Sequence, residues 1–117
     1  MEHPMYPEPS SELHRQRREL APAASTAFGH FSAAVFADGA LPRKTKELIA
    51  VAVAHVTQCP YCIRGHTENA VRQGATREEV MEAIWVAAEM RAGAAYAHSN
   101  LALDTMNRLA GGPAPPG

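Results

Sequence analysis

Apolar residues recur along most of the chain at the spacing of an α-helix. The clearest run, from Leu48 to Val56, is rich in alanine and β-branched residues and is longer than a typical strand, so it predicts a core helix. No segment of the sequence makes a convincing strand. The pattern predicts an all-α fold, organised as a single-domain helical bundle of about six helices.

Residues with strong capping preferences mark where these helices start and stop. The predicted helices begin, in chain order, at Ser10 or Ser11, Pro22, Pro42, Pro60 and Thr76. Thr76 is followed three residues later by Glu79, which completes a capping box. Gly93 interrupts the apolar pattern of the fifth helix, and glycine is a poor helix former. We therefore predict a break near Gly93 and a sixth helix that ends near Leu109.

The two ends of the chain do not have the composition of a packed core. Residues 1–9 include Pro4, Pro7 and Pro9 and predict a flexible N-terminal arm. Residues 111–117, GGPAPPG, predict a disordered tail. One helical domain is expected between them, over residues 10–110.

Aromatic and large apolar residues are concentrated on two of the predicted helices. The second helix carries Phe28, Phe31, Val35 and Phe36 at helical spacing, which predicts a stripe buried in the core. The alternative is that these side chains line a pocket. Trp85 and Met90 on the fifth helix are likewise predicted to lie in the core rather than to form a platform for a substrate.

Length and charge narrow the class of protein. A chain of 117 residues is long enough for one core and small enough to gain from burial between subunits. The net charge of −1 gives no field that would recruit nucleic acid or an anionic membrane. No apolar run is long enough to cross a bilayer, and the first residues lack the basic and apolar regions of a secretory signal. A cytoplasmic protein is expected, without a nucleic acid or membrane partner.

The candidate chemistry is concentrated around the sequence C-P-Y-C, formed by Cys59, Pro60, Tyr61 and Cys62. Pro60 suits the first position of a helix, which puts Cys59 near the N-cap and Cys62 in the first turn. This spacing allows a disulfide across one turn, and the helix N-terminus favours a thiolate. In a chain expected to be cytoplasmic, such a pair indicates catalysis or metal binding rather than a structural crosslink.

Two further ionisable residues are placed to act with this pair. His66 follows Cys62 by four residues, so both lie on one helical face. Glu47 precedes Cys59 by twelve residues, and a hairpin around Cys59 would bring Glu47 level with residues 66–70. The spacing therefore predicts one pocket that contains Glu47, Cys59, Cys62 and His66, which would be a redox site.

This pattern resembles the signature of the carboxymuconolactone decarboxylase superfamily, specifically its alkyl hydroperoxidase D-like branch. The resemblance runs from about Leu41 to about Leu103. It implies an all-α, oligomeric fold, with a trimer or hexamer expected, and peroxidase or disulfide reductase chemistry without a cofactor. The expected partners are a small hydroperoxide or a partner disulfide, and an external dithiol reductant.

The resemblance also implies roles for individual residues. Cys62 would be the attacking thiol and Cys59 its partner, while Glu47 and His66 would relay protons. The position of a thiol relative to the helix N-terminus would instead favour Cys59 as the attacker. Tyr61 stands where the hydroperoxidase itself has a histidine, which puts peroxidase activity toward that enzyme's substrates in question.

Several alternatives remain open at this stage. His55, Cys59, Cys62 and His66 have a spacing that resembles four zinc ligands, but they come from a single hairpin, so no metal is expected. His55 is assigned to the core or to the substrate pocket, and Tyr61 either covers the disulfide or donates a hydrogen bond to substrate. The alternative functions are a non-redox lactone decarboxylase and a non-enzymatic oligomer that senses redox state.

Overall fold

The computed structural model describes residues 5–111, which form five α-helices and no strand. The helices are α1 Ser11–Leu20, α2 Pro22–Phe36, α3 Arg43–Thr57, α4 Pro60–Arg72 and α5 Arg77–Leu109. The prediction of an all-α fold is confirmed. Residues 1–4 and 112–117, which include part of the predicted arm and most of the predicted tail, lie outside the described residues.

Two of the predicted helix starts show their capping interactions directly. The Ser10 hydroxyl accepts a hydrogen bond from the backbone N–H of Leu13 at 3.1 Å. At the start of α5, the Thr76 hydroxyl accepts from the Glu79 backbone N–H at 3.0 Å, and the Glu79 carboxylate accepts from the Thr76 N–H at 2.8 Å. The predicted capping box is therefore confirmed, and it satisfies two backbone donors that the helix itself leaves without partners.

The predicted break near Gly93 is wrong. Helix α5 runs without interruption through this position and contains 33 residues. A glycine in a helix interior costs only about 1 kcal/mol relative to alanine. The alanine-rich sequence on both sides continues the helix at low conformational cost, so the predicted fifth and sixth helices are one.

A tight connection joins α3 to α4 and orients the two helices as a hairpin. Gln58 ends α3 in the left-handed conformation, with φ 59° and ψ 47°. The backbone N–H of Cys59 then donates to the carbonyl of Ala54 at 3.2 Å. The chain therefore reverses within two residues, and the C-terminal end of α3 lies beside the N-terminal end of α4.

The core lies where this hairpin meets the first half of α5. Val51 of α3 and Ala70 of α4 are completely buried, and Val80 of α5 packs with them. The partly buried residues around them are Leu48, Ala75 and Ile84. Small side chains at the centre let the three helices approach closely, so the core depends on close contact rather than on large aromatic groups.

The predicted burial of the α2 stripe and of Trp85 and Met90 is wrong for the single chain. Phe28 is 67% exposed and Phe31 64% exposed, and α2 contains no buried residue. Trp85 and Met90 are also exposed. Within residues 5–111 no helix covers these side chains. Phe36, the last residue of the predicted stripe, is instead partly buried and lines a cavity, which was the alternative prediction.

The dimensions of the chain agree with this exposure. The radius of gyration is 20.8 Å, whereas a compact domain of this length has about 13 Å. Beyond Ala87, α5 contains no buried residue. We call the exposed apolar side chains of α2 and α5 the apolar flanks: Phe28, Phe31, Val35, Trp85, Met90, Tyr96, Leu101, Leu103, Met106 and Leu109. No helix within residues 5–111 is long and apolar enough to cross a membrane.

Candidate active site

Glu47 is the buried charged residue at the centre of the α3–α4 hairpin, with a relative exposure of 1%. Its Oε2 lies 2.7 Å from Nδ1 of His66, which α4 brings alongside. A buried carboxylate needs a hydrogen-bond donor, and the histidine supplies one. Beside an ionised carboxylate, which only accepts hydrogen bonds, a neutral imidazole carries its proton at Nδ1 and keeps the lone pair of Nε2. This pair can therefore accept a proton at Nε2.

Two further side chains lie against this pair. Phe36, at the end of α2, stacks on the His66 ring with 5.0 Å between ring centroids and 22° between ring planes. Arg43, one turn before Glu47 on α3, places its Nε 3.8 Å from Glu47 Oε1. The imidazole is thus held on its face by an aromatic ring and at Nδ1 by a carboxylate.

A cavity of about 310 Å³ opens beside the pair. It lies between α2, α3 and α4, and its lining residues are Ser32, Ala33, Phe36, Ala37, Arg43, Glu47, His66 and Asn69. A volume of this size is at the lower end of the range for small-molecule sites. The cavity includes Glu47 and His66, but neither cysteine is among its lining residues, so the single pocket predicted for all four residues stays a prediction.

The two cysteines form a disulfide at the start of α4. Cys59 is the N-cap residue, and its Sγ accepts a hydrogen bond from the Cys62 backbone N–H at 3.2 Å. Pro60 occupies the first helical turn as predicted. Both sulfurs therefore lie at the helix N-terminus, where the partial positive charge would favour the thiolate once the pair is reduced.

The disulfide and the Glu47–His66 pair are neighbours along α4. Cys62 and His66 are four residues apart, so they share one face, about 6 Å apart along the helix axis. The structure thus joins the cysteines to each other and Glu47 to His66. It places His66 one helical turn from Cys62 on α4, with Glu47 bonded to His66 from α3.

Tyr61, between the two cysteines, is engaged by the N-terminal segment. Its hydroxyl donates a hydrogen bond to the carbonyl of Pro7 at 2.9 Å, and its ring meets that of Tyr6 edge-on at 5.8 Å. One turn along α4, Arg64 approaches Glu8 at 3.4 Å. Residues 6–8 of the predicted arm therefore lie against α4, and the Tyr61 hydroxyl is occupied by backbone.

His55 points its Nδ1 at the carbonyl of Val51, at 2.7 Å, and is partly buried. Because a carbonyl only accepts, this nitrogen carries the ring proton. His55 does not line the cavity beside Glu47. Within residues 5–111, no group of three or more His, Cys, Asp or Glu side chains is arranged to hold a metal ion.

Sequence reasoning did not identify three polar residues of the cavity: Ser32, Arg43 and Asn69. Helical spacing in the sequence could have identified two of them. Arg43 precedes Glu47 by four residues and Asn69 follows His66 by three, so each shares a helical face with a predicted site residue. Ser32 comes from α2, whose position beside the hairpin is a tertiary feature that spacing does not reveal.

The fold and these two residue pairs define an all-helical protein with a cysteine pair beside a Glu–His pair. The sequence pattern of the carboxymuconolactone decarboxylase family matches residues 22–105. The chain belongs to this family, which confirms the resemblance seen in the sequence.

Curated relatives extend the similarity across most of the chain. A Paracoccus denitrificans protein named uncharacterized protein 4 in cox locus is 67% identical over 85 residues, covering 73% of this chain and 77% of that protein. An uncharacterized protein of Cupriavidus necator is 42% identical over 103 residues, covering 83% of this chain and 91% of that protein.

Solved structures show the same fold. A carboxymuconolactone decarboxylase family protein from Legionella pneumophila is 41% identical, with a TM-score of 0.65, covering 68% of this chain and 71% of that chain. A Methanobacterium thermoautotrophicum protein is 37% identical, with a TM-score of 0.68, covering 71% and 93%. A Thermotoga maritima family member, for which an involvement in the antioxidative response has been suggested, is 31% identical, with a TM-score of 0.57, covering 74% and 90%.

Proposed function

We propose that the protein is a thiol-dependent peroxidase or disulfide oxidoreductase that uses Cys59 and Cys62. The observation that carries the proposal is the buried Glu47–His66 hydrogen bond of 2.7 Å, one helical turn from the cysteine pair. A carboxylate that fixes an imidazole tautomer leaves Nε2 free to act as a base, and a thiol needs such a base to become a nucleophile. Family membership and the suggested antioxidative role of the Thermotoga maritima relative support the same chemistry.

The proposed reaction starts from the reduced pair. His66 takes the proton of the Cys62 thiol at Nε2, and Glu47 stabilises the imidazolium that results. The Cys62 thiolate attacks the terminal oxygen of a hydroperoxide, so an S–O bond forms as the O–O bond breaks. The departing alkoxide takes the proton back from His66 and leaves as an alcohol, and Cys62 becomes a sulfenic acid.

The second half of the cycle produces the disulfide seen in the structure. The Cys59 thiol attacks the sulfenic sulfur of Cys62, an S–S bond forms, and hydroxide leaves with the Cys59 proton as water. An external dithiol then reduces the disulfide through a mixed disulfide and is itself oxidised. If the substrate is a partner disulfide instead, Cys62 attacks one of its sulfurs and Cys59 resolves the mixed disulfide. We infer a cytoplasmic location from the need for such a reductant, because thiols are kept reduced in the cytoplasm.

Peroxide consumption by the reduced protein tests this function. With a panel of dithiol reductants, the wild type should turn over hydroperoxide, and Cys62→Ser should abolish turnover. Cys59→Ser should retain one turnover and accumulate a sulfenic acid that a thiol-trapping label detects on Cys62 by mass spectrometry. His98→Gln, on the distal part of α5, is the matched control and should remain active.

Other results would redirect the assignment. A sulfenic acid on Cys59 in Cys62→Ser, with a full first turnover, would make Cys59 the attacking residue. Activity on a lactone acid that survives the double Cys→Ser variant would point to the decarboxylase chemistry instead. A change of assembly between oxidant and reductant, without peroxide consumption, would indicate a redox sensor.

The proposal includes a homo-oligomer, for which the family resemblance implies a trimer or hexamer. The apolar flanks and the large radius of gyration support this, because an isolated chain rarely leaves so much apolar surface in water. Other copies of the same chain are the proposed cover for these faces. The state of assembly in solution is testable separately from catalysis.

A further inference from the structure

The cavity beside Glu47 and His66 contains a cationic group that the proposed reaction does not use. The Arg43 side chain lines this cavity and is 48% exposed. Its Nε lies 3.8 Å from Glu47, and in the described residues its guanidinium makes no hydrogen bond. Its backbone is fixed separately, because the Arg43 N–H donates to Asp38 Oδ1 at 2.7 Å. The terminal nitrogens of Arg43 are therefore free to bind a ligand.

The remaining walls of the cavity are of two kinds. Ala33, Phe36 and Ala37 supply an apolar surface from α2. Ser32 and Asn69 supply a hydroxyl and an amide. A cavity with an apolar wall, two neutral polar groups and one guanidinium matches a small molecule that has a short hydrocarbon chain and an anionic head.

The charge of the cavity also changes in the direction that favours an anion. Before the proton transfer, the positive charge of Arg43 faces the negative charge of the Glu47 carboxylate. When His66 has accepted the Cys62 proton, two positive groups face one carboxylate. The thiolate formed by the same transfer lies one turn along α4, outside the cavity, so the positive charge is added beside Arg43 and the negative charge beside the reacting end. An anionic head bound at Arg43 is therefore held more strongly when the thiolate has formed.

The position of the cavity along α4 also favours a ligand whose anionic head lies away from the reacting cysteine. Cys62, His66 and Asn69 are spaced by four and three residues, so they form one stripe on the helix. The cavity covers the Asn69–His66 end of this stripe and stops one turn before Cys62. A molecule whose head is bound at Arg43 would extend along the stripe toward the cysteine.

We propose that this cavity binds an organic hydroperoxide that carries a carboxylate, and that Arg43 selects it. The proposal rests on the proposed peroxidase function and names its substrate class. Arg43 acts here as a specificity-determining residue, since it binds the end of the substrate that does not react.

The test compares two hydroperoxides that differ only in charge, hydroperoxyoctanoate and its methyl ester. The wild type should show a kcat/KM for the acid about tenfold above that for the ester, as expected for one charge-assisted contact at a half-exposed arginine. Arg43→Gln should remove this preference by raising KM for the acid alone. Arg43→Lys should restore part of it, because it keeps the charge without the planar fork.

Binding without turnover gives a second readout on the oxidised protein. Calorimetry should show that octanoate binds more tightly than octanol, and that Arg43→Gln weakens only octanoate, about tenfold. Arg64→Gln is the matched control, because Arg64 is an exposed arginine of α4 that pairs with Glu8. It should leave both ligands and both substrates unaffected.

Two outcomes would overturn the inference. If Arg43→Gln lowers kcat equally for acid and ester, Arg43 positions Glu47 and does not select the substrate. If octanoate binds no better than octanol, the cavity has no preference for anions. Should neither hydroperoxide be consumed, the peroxidase proposal fails, while the octanoate measurement still decides whether the cavity recognises a carboxylate.

Discussion

The α3–α4 hairpin and the apolar flanks place their side chains in environments opposite to those that polarity alone would favour. In the hairpin, a charged residue, Glu47, is almost completely buried and has its hydrogen-bond donor within the chain. On the flanks, large aromatic residues such as Phe28 and Phe31 lie in solvent. The usual relation between polarity and burial is therefore inverted between the two regions.

This inversion distinguishes a site whose hydrogen bonds are made within the chain from apolar surfaces that no helix of residues 5–111 covers. A buried carboxylate is tolerated only when its partner is fixed beside it, and the short α3–α4 connection fixes His66 there. Large exposed apolar faces indicate a surface that another molecule covers. The Glu47–His66 pair belongs to the hairpin, whereas no helix within residues 5–111 covers the flanks.

The largest expected effect comes from removing the charge at the centre of the hairpin. Glu47→Gln keeps the shape of the side chain and an oxygen that can accept from His66, but it no longer stabilises an imidazolium. Peroxide turnover should fall about a hundredfold, the lower end of the range for acid–base catalysis. Steady-state rates, with circular dichroism to confirm folding, measure the effect.

Glu68→Gln is the control for this change, because Glu68 is an exposed acid of α4 whose partner, Arg72, lies on the same helix. Its turnover should equal that of the wild type. Undiminished activity in Glu47→Gln would mean that the buried pair is structural and that the cysteines are activated in another way.

The flanks should respond through assembly rather than through chemistry. Phe31→Asp places a charge in the middle of the exposed α2 face, where a covering subunit would have to bury it. Burying an unpaired charge costs several kcal/mol, so the oligomer should dissociate into smaller species. Light scattering coupled to size exclusion measures the mass.

Gln73→Asp adds the same charge at an exposed polar position after α4 and should leave the assembly intact. If the wild type is already a monomer, or if Phe31→Asp has the mass of the wild type, the α2 face is not the contact between copies. The conclusion about the flanks would then fail, and only the conclusion about the hairpin would stand.

A smaller effect distinguishes the two faces of α3 itself. Val51 is completely buried and Val53, two residues on, is 52% exposed. Val51→Ala should lower the free energy of unfolding by about 2 kcal/mol through lost burial and the cavity left behind. Val53→Ala should change it by less than about 0.5 kcal/mol. Urea unfolding measures both.

Equal losses in the two variants would contradict this reading of the core. They would show that the exposed face of α3 is buried in the assembled protein. Measuring both variants in the Phe31→Asp background separates that case, because dissociation should then remove the cost of Val53→Ala only.

How much of this molecule follows from its sequence depends on the range of the interaction. The helix starts at Ser10 and Thr76 and the turn before Pro60 were predictable, because capping and turn preferences act within a few residues. The approach of Glu47 to His66 was also predictable, since it needs only a hairpin of known length. These features depend on contacts within neighbouring segments.

Other features could not be read from spacing. Helix α5 continues through Gly93 because the favourable free energy of the whole helix outweighs the cost of one glycine. The exposure of Phe28 and Phe31 reflects what packs against α2, and helical spacing alone gives the same pattern for a core face and a subunit interface. The role of Phe36 against His66 depends on where α2 ends in space.

The smallest effect concerns Glu79, in the first turn of α5. Its carboxylate accepts a hydrogen bond from the Thr76 N–H, and it pairs with Lys44 of α3 at 2.9 Å, which links α5 to the hairpin. These contacts, first the backbone hydrogen bond and then Lys44, hold the pKa of Glu79 below its ordinary value of 4.5. Because the folded pKa is lowered, the stabilisation is complete above 4.5 and is lost as the pH falls through the folded value.

Glu79→Gln should therefore lower the urea midpoint slightly near neutral pH, and the difference from wild type should close as the pH falls below 4.5 and through the lowered pKa of Glu79. Glu78→Gln removes a charge from the same helical turn, but in the described residues Glu78 makes no hydrogen bond or ion pair. The difference between its midpoint and that of the wild type should therefore depend less on pH than the difference for Glu79→Gln. If the two variants lose the same stability at every pH, the general attraction of the helix N-terminus for acids accounts for both, and the link through Lys44 contributes nothing separate.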